Sequence, residues 1–277
     1  MTTAESFAPA KINLTLHVTG QRDDGYHLLD SLVVFGDVGD HVHVRLARDW
    51  SLVVTGPKAA GVPCDADNLV LRAARFAGGH PCAITLEKNL PIASGIGGGS
   101  SDAAACLRAL HRLDGRPIPD GLEQIGADLP VCMAASPTRM SGIGEVLQPV
   151  PTLPPLWVVL VNPGLGVATG SVFRAMRSRS NPAMAPKLPD WHGGDGLIEW
   201  LAAQRNDLEP PACLILPEIP RTLDQLRKTD GCKLARMSGS GATCFGLFTD
   251  GALAEAAAET LRANGAGSWV AAAPILS

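Results

Sequence analysis

The sequence predicts an α+β protein of two domains, and three observations lead to this prediction. The chain has 277 residues, which is long for one compact domain and sufficient for two. A proline-dense segment without periodicity, residues 149–155, suits a linker and divides the chain into domains 1–150 and 151–277. Beyond that linker, strand and helix patterns alternate, as in a small two-layer α+β domain.

Composition and charge exclude several classes of function. The formal net charge of −4 argues against nucleic acid as the main partner. No apolar run reaches the length of a membrane span, and the first residues lack the basic and apolar regions of a secretory signal. Seven cysteines without a Cys-x-x-Cys pair suit buried thiols in a reducing compartment. We therefore expect a cytoplasmic protein, either a monomer or a homodimer, that binds neither membranes nor nucleic acid.

The first strand pattern covers residues 8–18 and carries Lys11, Asn13 and Thr15 on one face. Three polar side chains on one face indicate either a wet surface or the floor of a site. A turn-rich loop follows, in which Tyr26, the single tyrosine of the chain, stands beside His27. An exposed loop is a poor place for a core tyrosine, so this pair is a candidate for binding.

Further strand patterns cover residues 28–35, 40–45 and 50–55. His41 and His43 have the spacing of a metal pair, but the alternating strand that holds them favours a solvated face. A helix pattern opens at Asp67 or Asn68, and either residue can cap it. The cap is sufficient to explain Asn68 without a function.

A glycine loop joins a strand pattern at residues 83–88 to a helix pattern at 103–110. Four glycines remove Cβ atoms that would keep an anion from the backbone, and the amides and dipole of a helix start favour negative charge. We interpret the loop as a seat for nucleotide phosphates, although a tight turn ending in a cap is the alternative. The loop consists of Pro91, Ile92, Ala93, Ser94, Gly95, Ile96, Gly97, Gly98, Gly99, Ser100 and Ser101.

This loop differs from the common phosphate-binding motifs. A Walker A loop needs a Gly-Lys pair, and no lysine in the chain follows a glycine. The dinucleotide fingerprint needs a third glycine or alanine at the position of Ser100. It also needs an acidic residue at the end of the next strand, and the chain has none at the expected distance. No Gly-x-Ser-x-Gly occurs, so the serines do not form an esterase elbow.

Two later features leave alternatives open. Asp128 is the one carboxylate in the apolar run after residue 124, and it is either a helix cap or a functional acid, because a buried carboxylate needs a partner. A second glycine cluster, residues 237–245, is either a hairpin turn or a backbone surface that lies against the first loop. Residues 178–196 are irregular and suit a mobile surface loop.

The remaining patterns of the second half complete the α+β prediction. They predict strands at 156–161, 233–237, 243–248 and 268–272, and helices at 196–204, 219–228 and 252–263. A further helix is predicted to begin with a cap at Thr169.

Three motifs together resemble those of the GHMP kinases. They are Pro-Ala-Lys-Ile-Asn-Leu from Pro9, the loop at residues 91–104, and Ser-Gly-Ser-Gly-Ala-Thr-Cys-Phe from Ser238. The resemblance implies a two-domain GHMP kinase fold. Its N-terminal domain is similar to domain 2 of ribosomal protein S5, and its C-terminal domain is ferredoxin-like.

The resemblance is more specific to the GHMP kinases that act on one particular substrate. Four shorter motifs support this, at residues 22–27, 67–69, 126–131 and 206–209. It implies transfer of the γ-phosphoryl group of ATP, with Mg²⁺, to the 2-hydroxyl of the cytidine diphosphate derivative of methylerythritol. This reaction belongs to the non-mevalonate route to isoprenoid (terpenoid) precursors. A homoserine- or mevalonate-type kinase and a non-catalytic nucleotide-binding regulator are the alternatives.

The resemblance also implies roles for individual residues. It places the catalytic pair on Lys11 and Asp128 and the phosphates on the glycine loop. It implies no protein-built metal site, with Ser101 as a contact of the magnesium ion. The substrate-binding positions that it implies are Asn13, Tyr26, His27, Asn68 and Phe173.

Overall fold

A computed structural model describes residues 2–265 and 267–277 of the chain. The chain divides into two compact units, and each unit is built from segments that are not consecutive in sequence. The first contains the segment ending at Lys11, Gly39–Ile92 and Gly97–Ala135, and the second contains Ile12–Val38, Ala93–Ile96 and Ser136–Ser277. The domain boundary predicted at residue 150 stays a prediction.

Both units contain strands and helices. The strands are β1 (Thr3–Asn13), β2 (His17–Gln21), β3 (His27–Leu46), β4 (Ser51–Thr55), β5 (Cys82–Glu87), β6 (Thr138–Gly142), β7 (Val146–Pro149), β8 (Trp157–Asn162), β9 (Leu234–Met237), β10 (Cys244–Phe248) and β11 (Trp269–Leu276). The helices are α1 (Leu69–Ala77), α2 (Gly98–Asp114), α3 (Leu129–Ala134), α4 (Thr169–Ala175), α5 (Gly193–Ala202), α6 (Glu209–Ile215), α7 (Glu218–Arg227) and α8 (Gly251–Asn264).

The first unit packs α1 and α2 on a sheet that contains β5. This strand pairs antiparallel with β3 and parallel with β4. Its apolar side chains alternate with half-buried ones, as a sheet with one covered face requires. Small residues of α2, including Ala105 and Ala109, allow the helix to lie close to Ile84 and Leu86. The helix that follows the glycine loop is therefore held by a packed core.

The second unit is an antiparallel sheet with β8 in a central position. β8 pairs with β10 on one side and β11 on the other, and β10 pairs with β9. Residues Val158 to Val161 are all buried, as expected for a strand covered on both faces. Side chains of α7 and α8, among them Leu223 and Ala258, close the core on one side. This arrangement confirms the α+β pattern predicted for the second half.

The strand predicted at residues 8–18 is wrong in its extent, because the chain forms two strands, β1 and β2, with a break at residues 14–16. The reason is a side chain: Thr15 Oγ1 accepts a hydrogen bond from Leu32 N at 2.8 Å and takes the place of a backbone acceptor. Asn13 and Thr15 are fully buried, so this face is not a wet surface.

Two helix predictions also need correction. α6 was not predicted, because Pro210 and Pro211 suggest a break, yet proline is tolerated in the first helical turn. The predicted cap of α4 is wrong, since Thr169 lies inside the helix and its hydroxyl shares a 2.8 Å hydrogen bond with Ser240 Oγ. Within residues 2–265 and 267–277, no helix combines the length and apolarity that crossing a bilayer requires.

Candidate active site

Lys11 and Asp128 form an ion pair inside the first unit. Lys11 lies on β1 and is 4% exposed, and its Nζ donates to Asp128 Oδ2 at 2.8 Å. Asp128 occupies the N-cap position of α3, but its side chain makes no capping hydrogen bond. A buried ammonium needs a partner, and Asp128 provides it while its own side chain stays partly exposed. Of the two interpretations of Asp128, the cap is therefore wrong.

The start of α2 lies directly beside Lys11. Gly97 precedes the helix with a φ of +65°, and a Cβ atom placed on it would lie 3.0 Å from Lys11 Cβ. Glycine is required there by both the backbone angle and the close approach. The first turn of α2 has no acidic residue and no side-chain cap, so its amides and dipole are directed toward the same region as the Lys11 ammonium. Such a region attracts anions.

Residues Ala93–Ile96 of the glycine loop lie in the second unit, against the second glycine cluster. Gly95 has a φ of +75°, and a Cβ atom on it would lie 2.5 Å from the Ser238 carbonyl oxygen. Ser238 Oγ donates to the Gly95 carbonyl at 3.0 Å, and Thr243 N donates to the Ser94 carbonyl at 3.1 Å. The hypothesis that the second cluster lies against the first loop is confirmed, and this cluster also forms the turn between β9 and β10.

Asn206 holds that turn in place. Its Nδ2 donates to the carbonyl oxygens of Met237, at 2.8 Å, and Gly239, at 2.9 Å. The side chain is buried, so both bonds are shielded from water. Sequence reasoning used Asn206 only as part of a motif and did not predict this role, because neither partner is close to it along the chain.

His27 and Phe173 stack on each other in the second unit. Their ring centroids are 4.3 Å apart and the rings are inclined by 19°. Burial, with a smaller contribution from Arg179, lowers the pKa of His27. Its buried Nε2 has no hydrogen-bond partner among the described residues. Tyr26, the neighbouring residue, is 57% exposed. His27 and Phe173 therefore form an aromatic stack with one buried, unpartnered ring nitrogen, and the exposed Tyr26 adjoins it in sequence.

The two asparagines among the predicted site residues differ. Asn68 caps α1, because its Oδ1 accepts from Val70 N at 2.8 Å, as predicted. Its Nδ2 donates to the Pro63 carbonyl at 2.7 Å. Asn13 is fully buried and donates to Ser31 Oγ at 2.8 Å, while its Oδ1 has no partner in the part of the chain that the structure describes. Of the two, Asn13 has the free acceptor.

A buried lysine flanked by two carboxylates lies beneath the start of α2. Lys88 Nζ donates to Asp102 Oδ2 at 2.8 Å and also to Asp40, and it lies 3.4 Å from the position of a Cβ on Gly98. Burial alone would lower the pKa of Lys88, but the two carboxylates raise it. Burial raises the pKa of Asp102 to about 8 despite the charge of Lys88. The raised pKa favours the protonated form of Asp102 near neutral pH, while Lys88 stays charged.

Sequence reasoning did not identify this group of Asp40, Lys88 and Asp102. The available indication was a lysine between the strand β5 and the glycine loop, with an aspartate in the helix that follows. Asp40 also accepts hydrogen bonds from the backbone N–H groups of Asn89 and Leu90, which lead into the loop.

The predicted magnesium contact is occupied by protein. Ser101 is 1% exposed and its hydroxyl donates to Cys132 Sγ at 3.4 Å. Within residues 2–265 and 267–277, no group of three or more His, Cys, Asp or Glu side chains is placed to hold a metal ion. The exposed His41 and His43 agree with the solvated strand face expected for them.

Two family models match segments of the chain. The model of the GHMP kinases N terminal domain matches residues 68–143, and that of the GHMP kinases C terminal domain matches residues 187–267. The chain is 58% identical over 269 residues to a 4-diphosphocytidyl-2-C-methyl-D-erythritol kinase of Cereibacter sphaeroides (strain ATCC 17025 / ATH 2.4.3), covering 96% of this chain and 97% of the relative. It is 51% identical over 290 residues to the kinase of the same name from Paramagnetospirillum magneticum (strain ATCC 700264 / AMB-1), with both chains covered to 100%.

Solved structures of kinases also match this chain. A crystal structure of 4-(cytidine 5'-diphospho)-2C-methyl-D-erythritol kinase matches with a TM-score of 0.77 and 36% identity over 99% of both chains. A homoserine kinase from Cytophaga hutchinsonii matches with a TM-score of 0.65 over 100% of this chain and 98% of that one. Its identity is 17%, so this likeness concerns the fold alone.

Proposed function

The chain belongs to the 4-diphosphocytidyl-2-C-methyl-D-erythritol kinase family of the GHMP kinases, and we propose that Lys11 and Asp128 carry out its phosphoryl transfer. Membership in this family confirms the predicted fold class. It also confirms an alcohol-group phosphotransferase that uses ATP as co-substrate and acts in isoprenoid precursor biosynthesis. The identity of the phosphorylated hydroxyl and the roles of individual residues are proposals, and they follow here.

The Lys11–Asp128 ion pair is the observation that supports the proposed chemistry. The acceptor alcohol is a poor nucleophile and loses a proton as it attacks phosphorus. The partly exposed carboxylate of Asp128 accepts that proton, and general-base help of this kind is worth about 10²- to 10⁴-fold. Lys11 orients the carboxylate at 2.8 Å and offsets the negative charge that develops on the oxygen atoms.

The glycine loop and the start of α2 hold the phosphates of ATP in this proposal. The Gly97 backbone lies against the Lys11 side chain, so phosphates at the helix start would lie within reach of its ammonium. Phosphoryl transfer has a loose transition state, and positioning together with charge neutralisation contributes most of the rate enhancement. The segment from Pro91 to Ser101 is therefore proposed as the ATP-binding loop.

We propose that Mg²⁺ accompanies ATP and is bound mainly by phosphate oxygens and water. A magnesium ion commonly keeps several waters and needs few protein ligands, and it would neutralise charge on the phosphates. Among the described residues, no group of three or more His, Cys, Asp or Glu side chains is placed to hold it.

The stacked rings of His27 and Phe173, with the exposed ring of Tyr26, are proposed as the cytosine-binding surface. A base can stack on an aromatic ring. We propose that Asn13 contacts the sugar alcohol through its free Oδ1. The proposed substrate role of Asn68 has less support, because both of its side-chain groups are already bonded.

An ATP-consumption assay tests the proposal. We expect turnover with 4-diphosphocytidyl-2-C-methyl-D-erythritol and none above background with homoserine or mevalonate. Product analysis by phosphorus NMR would show the new phosphate on the 2-hydroxyl. No ATP consumption with any of the three alcohols would favour a nucleotide-binding regulator. Faster ATP consumption with homoserine or mevalonate would favour another GHMP kinase. Cytoplasmic location and the choice between monomer and homodimer stay predictions.

A further inference from the structure

Arg108 connects three elements of the first unit. It lies on α2, and its guanidinium donates to acceptors on two other elements. Nη1 donates to the Cys132 carbonyl at 2.8 Å, and Nη2 donates to the Phe7 carbonyl at 2.9 Å. Nε donates to Ser6 Oγ at 3.3 Å. One side chain therefore bridges from α2 to both β1 and α3.

Those two elements carry the proposed catalytic pair. Phe7 and Lys11 lie on the same strand, β1. Asp128 stands at the start of α3, and Cys132 N donates to the Asp128 carbonyl at 3.1 Å, so the two residues share one helical turn. A shift of β1 against α3 would change the separation of Lys11 Nζ and Asp128 Oδ2. Arg108 opposes such a shift from both sides.

An arginine is suited to this bridge because its donors form a rigid planar fork. In residues 2–265 and 267–277, no carboxylate forms an ion pair with Arg108, so its charge is directed at neutral carbonyl and hydroxyl oxygens. Burial lowers the pKa of Arg108, although a guanidinium remains protonated in proteins. Ser101 adds a second contact to the same point of α3, through Cys132 Sγ.

We propose that Arg108 is a positioning residue for phosphoryl transfer, which holds β1 and α3 at the separation that keeps Lys11 and Asp128 in register. It touches neither substrate in this proposal and acts through the catalytic pair. The inference rests on the proposed roles of Lys11 and Asp128. None of its three contacts involves the amides of the glycine loop, so ATP affinity is expected to change little.

The test compares Arg108→Met with Arg112→Met. Arg112 lies one turn further along α2 and donates to the Glu5 carbonyl of β1 at 2.8 Å, but it is exposed and has no described contact with α3. We expect Arg108→Met to lower kcat by about 10- to 100-fold, the effect of a small misplacement of reacting groups, with KM for ATP changed less than about twofold. Arg112→Met should keep kcat. Assays run well below the melting temperature of each variant.

A double-mutant cycle with Asp128→Asn separates positioning from general destabilisation. If Arg108 acts through Asp128, Arg108→Met should have little effect on kcat in the Asp128→Asn background. Where Arg108→Met does not fold, Arg108→Lys replaces it. A single ammonium cannot reach Phe7 and Cys132 together, so kcat of Arg108→Lys should also fall while the protein folds.

Four results would overturn the inference. Equal kcat values for Arg108→Met and Arg112→Met would remove Arg108 from any role in turnover. An equal loss of kcat in both backgrounds would show that Arg108 acts independently of Asp128. Unchanged kcat in Asp128→Asn alone would defeat the proposed general base and this inference with it. A loss in Asp128→Asn without one in the Arg108 variants would leave the proposed function standing and defeat the inference only.

Discussion

Asp128 stands at the N-cap position of α3, yet its carboxylate contacts the Lys11 ammonium at 2.8 Å and no backbone group of its own helix. The carboxylate is therefore held by an ammonium from a strand far away in sequence. A local cap would have fixed Asp128 to α3, whereas this pairing directs it toward the region in front of the glycine loop. The first prediction concerns this contact.

Asp128→Asn is expected to lower kcat by about 10²- to 10⁴-fold, because an amide cannot accept the proton of the alcohol. The variant should fold, since asparagine is a good residue at a helix N-cap. Steady-state kinetics and ATP titration would check both expectations, with ATP affinity kept. Asp120→Asn, which changes an exposed carboxylate, is the control. Unchanged kcat in Asp128→Asn would remove Asp128 from the mechanism.

Tyr26→Ala and Phe173→Ala are each expected to raise KM for the cytidylyl substrate by about 10-fold or more, because stacking on a base is worth about 1–3 kcal/mol. KM for ATP should stay within about twofold. Phe173→Leu, which keeps an apolar side chain but loses the ring stacked on His27, should show an intermediate effect. A selective loss of ATP affinity would place these rings on the adenine side instead.

Asp102→Asn is expected to change how stability depends on pH. Burial raises the pKa of Asp102 from 3.8 to about 8, so the folded state binds this proton more tightly than the unfolded state. The wild type should therefore lose stability relative to Asp102→Asn as pH rises from about 4 to 8, and the difference should be constant outside this window. Thermal unfolding across pH would measure it.

Asp40→Asn provides the contrast for that experiment. Asp40 also accepts hydrogen bonds from the amides of Asn89 and Leu90, at 2.5 and 2.8 Å, and an asparagine oxygen would retain only part of this set. Asp40→Asn should destabilise the fold by about 1–3 kcal/mol. Parallel pH profiles for wild type and Asp102→Asn would contradict the raised pKa of Asp102.

Gly95→Ala is expected to impair ATP binding as well as stability. The positive φ alone costs an alanine about 1–2 kcal/mol, and the added Cβ would also collide with the Ser238 and Gly241 backbones. Gly115→Ala is the matched control, because Gly115 has a φ of +75° and open space around it. We expect similar strain from the positive φ in both variants, and the collision and a raised KM for ATP in Gly95→Ala only. Equal KM values would show that this part of the loop does not shape the nucleotide site.

Features that depend on neighbouring residues were predicted from the sequence. The strand β5 and the helix α2 on either side of the glycine loop were found, because their patterns are local. The Asn68 cap was found for the same reason, since a cap bonds an amide two residues away. A prediction from local pattern was wrong where a residue distant in sequence changes the backbone. Thr15 leaves the predicted strand because its hydroxyl accepts a hydrogen bond from Leu32 N.

The sequence alone thus established the fold class, the glycine loop and the kind of chemistry, since each depends on residue types at short spacing. The fold was needed to show that Asp128 pairs with Lys11, that Lys88 pairs with two buried carboxylates, and that Arg108 joins β1 to α3. The physical reason is that an ion pair or bridge depends on distances of a few ångströms between residues far apart in the chain. No pattern along the sequence contains those distances.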